Sequence, residues 1–321
     1  MLHVHFAPKN APDSRDTLAE FHFGVGADAN GDPRRIPVSL AQLGGGERIE
    51  RWTSEAEVTT GQVRDIGFAC DGDFLFARLL VPAERCADIE RVTRSAYLHL
   101  DHLIRSQGYP YWLRAWNFLA GITVGEGESE RYRRFNAGRY SAVGLSSDVG
   151  ENLPAASALG SESGGFVLCC LAGKRPGVRI ENPRQVSAPE YPPQYGLRSP
   201  LFARAALVPN RRGAQLLISG TASIVGHESR HIGDPEAQVE ETARNFAALV
   251  DTAMHGAPAR PRTSSARLES LRVYLRDADH YARLLPAIRR LFAPGHEPLV
   301  LRADICRRDL LVEIEGTYAL E

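Results

Sequence analysis

Apolar positions along the chain alternate between two spacings, and the same succession occurs twice. Asp73–Val81 reads as a strand. Ile89, Val92, Ala96, Leu100, Leu103 and Ile104 then recur at three- and four-residue intervals, which predicts a helix. Gly108-Tyr109-Pro110 interrupts it. Trp112–Leu119 reads as a strand, Glu130 to Tyr140 as a second helix, and Phe166–Leu171 as a closing strand. The second succession starts with the strand Ala214–Ser223. Asp234-Pro235 is a helix start, with a capping Asp and Pro in the first turn, and Val239, Thr242, Phe246, Leu249 and Val250 follow on one side. Leu268–Leu275 is a strand, Asp279 to Phe292 a helix stopped by Pro294-Gly295, and Val300–Ile305 with Leu310–Ile314 complete the sheet.

Each succession is strand, helix, strand, helix, strand, behind a hairpin. That order predicts an α+β protein of two tandem α/β sandwiches, with helices on one face of each sheet. The expected domains are residues 1–173 and 174–321. The closing segments can be laid side by side. Arg308–Gly316 carries Glu313 where Gly164–Leu171 carries Leu168. An acid kept in one copy only makes Glu313 the first candidate for a reacting group. Strand alternation puts Glu315 on the same face, and the aliphatic neighbours Val312 and Ile314 make burial expected. Burial raises a carboxyl's pKa and lets it serve as an acid near neutral pH.

At 321 residues, 43% apolar and 24% charged, the chain has the composition of a soluble globular protein. A net charge of −1 argues against broad nucleic-acid binding, and no apolar run approaches the length of a membrane span. Five cysteines without CxxC spacing fit a reducing compartment, so a cytoplasmic location is expected. The start, Met1–His5, has no basic segment followed by an apolar one, so no secretory leader is expected. Between the two successions, Gly173 to Pro200 holds six prolines with Arg175, Arg179, Arg184 and Arg198, which reads as a stiff connector forming part of a site wall. His227-Glu228-Ser229-Arg230-His231 matches a zinc motif, but Gly226 and Gly233-Asp234-Pro235 bracket it, so it is read as a loop and no metal is expected. Gly44-Gly45-Gly46 lacks the residues of a phosphate loop and reads as a turn.

Ser199–Ala205, Leu217–Thr221, Leu271–Asp277 and Leu311–Gly316 resemble the YjgF/RidA superfamily over Gly196 to Glu321. Longer motifs, Arg134–Tyr140, Ile180–Ala188 and Ser219–Ser229, resemble the chorismatase family. That resemblance implies a divergent N-terminal and a catalytic C-terminal domain, both YjgF-like or chorismate-mutase-like sandwiches. It implies chorismate as the small-molecule substrate, release of pyruvate, and no cofactor, with Glu313 as the catalytic acid. A dicarboxylate favours planar arginine forks, and the candidate clamp is Arg139, Tyr195, Arg198 and Arg204. Gly220 or Ala222 is expected to line the pocket. Cys306 stands where the family's residue helps select the product. Cysteine there implies 3-hydroxybenzoate, in which the ring loses water as well as pyruvate, with 4-hydroxybenzoate made in a related subgroup. The alternatives are a dihydroxycyclohexadiene acid, imine hydrolysis of the RidA type, or a non-catalytic binder of small acids. Glu297-Pro298-Leu299 lacks the arginine that imine-hydrolysing relatives carry, which weakens the second. A homo-oligomer is compatible with the resemblance.

Overall fold

The computed structural model of the chain describes residues 1–143, 153–162, 164–210, 213–256 and 265–321. It is mixed α+β and dominated by sheet. The first seven-stranded sheet has the order Asp304–Ile305, Ala155–Ser161, Tyr111–Ala120, Phe166–Gly173, Phe74–Val81, Ile66–Cys70, Thr59–Val63. Read from its opposite edge, the second has the order Gln42–Leu43, Leu299–Arg302, Ala266–Leu275, Val312–Leu320, Ala214–Ala222, Ala205–Pro209, Val178–Ile180. In both, the closing strand lies antiparallel between its two neighbours, and one parallel pair follows.

Among the described residues, four α-helices accompany these sheets: α1 (Ile89–Ser106), α2 (Arg131–Val143), α3 (Pro235–Asp251) and α4 (Tyr281–Phe292). The periodicity of α1 and α3 is what the sequence predicted, because each presents one apolar stripe to a sheet, whereas α2 buries Phe135 beside the polar Asn136 and Arg139 and packs on α1. Asp88 and Asp234 cap α1 and α3 by accepting the amides of Arg91 and Ala237. Gly138 lets α2 approach α1 closely, since a Cβ there would overlap the Glu90 carbonyl oxygen.

Each sheet has an apolar helix side. Leu75, Leu100, Ile104, Leu168 and Cys170 fill the first, and Val239, Phe246, Leu284, Val312 and Ile314 the second. A third core lies between the sheets and a four-stranded N-terminal sheet, ordered Leu2–Pro8, Arg48–Ser54, Thr17–Phe23, Arg35–Val38. There Trp52, Phe76, Phe21 and Trp116 meet edge to face or stacked, with centroids 5.2–5.9 Å apart.

Two readings are corrected. Leu168 packs beneath α1, on the face of its strand opposite to the one Glu313 occupies in the second sheet. Side chains alternate along a strand, so laying the segments side by side one residue out of step exchanges the faces. Cys169 and Leu171 are the residues that face the inter-sheet core. Val300–Ile305 is also not one strand. Ala303 donates to the Leu275 carbonyl, and Asp304–Ile305 crosses to pair with Leu159 and Gly160 of the first sheet. Gly160 is required at this crossing, because a Cβ would overlap that of Asp304.

Candidate active site

Glu313 stands opposite Ala222 and Tyr274 in the second sheet, and Glu315 opposite Arg272. Both carboxylates point away from the helix side toward the first sheet, and both are buried. Their surroundings separate them.

Glu315 accepts from Arg114 Nη2 at 2.6 Å, Arg272 Nη1 at 3.0 Å, Tyr274 Oη at 2.8 Å and Trp116 Nε1 at 3.1 Å, and also from Ser157 Oγ. Burial opposes its charge, but Arg114 and Arg272 outweigh burial and hold its pKa below the usual carboxylate value. Glu313, only 4% exposed, is pushed the other way. Burial is the main cause, and the Glu315 anion adds to it, while Arg114 and Arg276 offset part; its pKa rises to about 8. One carboxyl is therefore a fixed anion, and the other holds a proton at neutral pH.

A bulge between Ile218 and Thr221 shapes the floor beneath Glu313. It releases the Gly220 amide from the ladder to donate to Ser157 Oγ at 2.8 Å. A Cβ on Gly220 would overlap Glu313 Oε1, so only glycine leaves the carboxyl its present place. Cys306 packs with Ala222, Ile224, Ile305 and Leu310. Burial and the nearby Glu313 push its thiol up to about 12, so it is neutral at physiological pH, and the Tyr132 hydroxyl lies beside it. Arg276 ion-pairs with Asp304 and donates to the carbonyls of Leu310, Ile305 and Arg307 at 2.9–3.0 Å, which fixes the loop that presents Cys306.

The Pro-rich connector supplies an aromatic and cationic wall. Arg307 lies 3.9 Å from the Tyr195 ring centroid and donates to the His227 carbonyl at 2.8 Å. The Tyr195 hydroxyl is 3.3 Å from His227 Nδ1. Arg204 donates to Tyr191 Oη at 2.7 Å and to the Val186 carbonyl at 2.8 Å. Arg198 is exposed, 4.6 Å from the Tyr140 ring centroid. Arg139, 3% exposed, lies two turns along the face of α2 that begins with Tyr132, with its guanidinium over the Tyr97 ring. It lines a cavity of about 330 Å³ that also touches Trp112, Leu153 and Pro176 but none of the groups around Glu313.

The structure thus gathers Glu313, Gly220 and Cys306 into one cluster and Tyr195 and Arg204 into its wall, while Arg139 and Arg198 lie farther out. Among the described residues, Arg139, Arg198, Arg204 and Arg307 have no carboxylate within ion-pair distance. Nε of Arg139 and of Arg204 is buried without a hydrogen-bond acceptor. Unpaired buried cations are costly unless something anionic completes them.

Sequence reasoning missed Arg114, Tyr132, Ser157, Tyr191, Arg276 and Arg307. Tyr132 was within reach, since it precedes Asn136 by one helical turn. The others come from separate elements and carry no local signal. The zinc-like motif lies in the hairpin Ile224–Val225/Glu228–Ser229, with His231 3.3 Å from Glu241. Among the described residues no cluster of three or more His, Cys, Asp or Glu could hold a metal ion. None of the described helices is long and apolar enough to cross a membrane.

Residues 50–172 match the family described as "Chorismatase FkbO/Hyg5-like, N-terminal". A 3-hydroxybenzoate synthase of Streptomyces hygroscopicus is 37% identical over 276 residues, covering 83% of this chain and 80% of that protein. A chorismatase of Streptomyces rapamycinicus is 33% identical over 278 residues, covering 84% and 82%. A solved chorismatase structure superposes with a TM-score of 0.87 at 30% identity, covering 99% of this chain and 98% of that one.

Proposed function

This chain belongs to the chorismatase family, and from that premise we propose that it converts chorismate to 3-hydroxybenzoate and pyruvate with Glu313 as the acid. It is an enzyme acting on chorismate. The observation that carries the assignment of Glu313 is its burial beside the Glu315 anion and against Gly220, which raises its pKa to about 8.

Cleavage of an enol ether starts when a proton is delivered to the methylene carbon. The carbon bearing the ether oxygen then becomes cationic. A buried, protonated carboxyl supplies that proton, and its conjugate base beside Glu315 is poorly stabilised, which favours the transfer. Water adds to that cationic carbon, and the hemiketal collapses to pyruvate, leaving the former ether oxygen on the ring as a hydroxyl and returning a proton to Glu313. The proton taken from Glu313 remains in the pyruvate methyl group. The ring then loses its other hydroxyl, together with the hydrogen on the carbon bearing the former ether oxygen, as one water. This aromatises it to 3-hydroxybenzoate, so the water added is returned and none is consumed net.

The substrate's two carboxylates match the uncompensated cations Arg204 and Arg307, with Tyr191 against both, Tyr195 against Arg307, and Arg198 and Arg139 farther out. Guanidinium forks suit this task because they bind carboxylates bidentately and stay charged. Cys306, a neutral thiol opposite the acid, is assigned to product selection. We also read the two helix-covered sheets as tandem copies of one YjgF-like sandwich, divided near Gly173, because their strand orders coincide.

Purified protein given chorismate in the presence of a chelator should release pyruvate, and chromatography should show 3-hydroxybenzoate as the main aromatic product. Absence of pyruvate while chorismate persists would reject the function. A dihydroxycyclohexadiene acid in its place would keep the enzyme and reject the product.

A further inference from the structure

The hydrogen-bonded charges behind Glu313 continue beyond the site. Arg272, 1% exposed, donates from Nη1 to Glu315 Oε1 at 3.0 Å. Its Nε donates to Glu50 Oε2 at 2.8 Å, and its Nη2 to Glu50 Oε1. Glu50 belongs to Arg48–Ser54 in the four-stranded N-terminal sheet and also accepts from Trp52 Nε1 at 2.8 Å. On the other side, Arg114 Nη2 donates to Glu315 Oε2 and to Ser157 Oγ, both at 2.6 Å. Ser157 Oγ accepts the Gly220 amide, and Gly220 is the residue against which the Glu313 carboxyl rests. One continuous series of contacts therefore runs from Glu50 through all three large sheets to the floor beneath Glu313.

The proposed chemistry does not call on Glu50, and burying two acids with two arginines is no efficient route to stability, since apolar side chains of similar volume often serve as well. We propose that Glu50 is a positioning residue for Glu313, acting through Arg272 and Glu315. This deepens the reading of Glu313 as the acid and rests on it. The four charges balance: Glu50 and Glu315 against Arg114 and Arg272. Glu315 opposes ionisation of Glu313 only while its own negative charge is not fully cancelled, and Glu50 draws on Arg272 to keep it so. Without the Glu50 charge the cluster becomes net positive and favours ionised Glu313.

The charged or titratable groups facing Glu313 are Glu315 on its own strand, Arg114 on Tyr111–Ala120, Arg276 after Ala266–Leu275, Cys306 on the following loop and Tyr132 on α2. Glu50 itself faces Arg272 and the Trp52 indole N–H. A change at position 50 leaves every direct neighbour of Glu313 in place.

The test follows the Glu313 carboxyl carbon by ¹³C NMR across pH, with the resonance assigned by its loss in Glu313→Gln. Glu50→Gln should lower the titration midpoint by about one pH unit, a roughly tenfold loss of proton affinity. An unchanged midpoint in a folded variant overturns the proposal. If Glu50→Gln does not fold, the double variant Glu50→Gln/Arg272→Met gives the readout with both charges removed. A midpoint at or above that of the wild type then supports the proposal, and one below it overturns it. Pyruvate release is measured in parallel. A wild type that titrates as stated without making pyruvate rejects the function alone, and one that makes pyruvate while Glu313 ignores Glu50 rejects the positioning role alone.

Discussion

The closing strands Phe166–Gly173 and Val312–Leu320 occupy the same place in sheets of the same strand order, yet they send different chemistry into the space between the sheets. The first contributes Cys169 and Leu171 to a core with Trp52, Phe76 and Trp116. The second contributes Glu313 and Glu315. The architecture is therefore satisfied by apolar side chains at this place, and the carboxylates of the second strand answer to something else. Within that strand the comparison repeats at closer range. Two glutamates two residues apart, equally buried, are driven to opposite protonation states because one receives two guanidiniums and the other faces an anion.

The largest expected effect comes from erasing the acid. Glu313→Gln should lower kcat by about 10²–10⁴-fold, the usual worth of a general acid, while KM stays within a few-fold; a variant of near-normal rate removes Glu313 from the mechanism. The wild-type rate should fall as pH rises through about 8, because only the protonated carboxyl donates. Stability follows the same sign. The native state holds this proton more tightly than the unfolded chain, whose carboxyl titrates near 4.5. The contribution is thus complete below that value and lost as pH rises to about 8, and thermal unfolding of Glu313→Gln should lack this decline.

Next in size, Glu315→Gln leaves Arg114 and Arg272 facing each other without their shared anion. Denaturant unfolding should show a loss of about 3–5 kcal/mol, as for other broken buried pairs. Cys169→Ala, at the comparable inward-facing place in the first sheet, should cost only about 1 kcal/mol. Similar losses for the two would erase the distinction between the strands.

Gly220→Ala should displace the Glu313 carboxyl by rotation of its side chain and reduce kcat about tenfold with KM little changed, since misplacing a reacting group acts on the chemical step. A normal kcat would show that the floor is not needed. The smallest energetic effect is expected of Cys306→Ala, about 1 kcal/mol or less in stability, with the consequence read in the ratio of hydroxybenzoate to diene acid. An unchanged ratio would remove Cys306 from product selection.

Helices α1 and α3 could be placed from the sequence because an apolar stripe at helical spacing, joined at α3 by the capping Asp234, is a local signal that no distant contact overrides. The inward face shared by Glu313 and Glu315 was legible for the same reason, since strand alternation is local. The correspondence between Leu168 and Glu313 was not. It depended on register between two strands, and a shift of one residue reverses every side chain. The four-stranded N-terminal sheet, with Glu50 and Trp52, went unread because its strands are held by pairing with one another and by burial against two other sheets.

Period and composition alone yielded the element types, the order repeated along the chain and an acid flanked by aliphatic residues, because each depends on neighbours a few positions away. The proton on Glu313 is a property of the folded molecule. It requires Glu315 to be charged, which requires Arg114 from 201 residues away and Arg272 from 43 residues away to converge on one buried carboxylate. Coulomb interactions depend on distance and on the surrounding dielectric, and only packing of the sheets sets either.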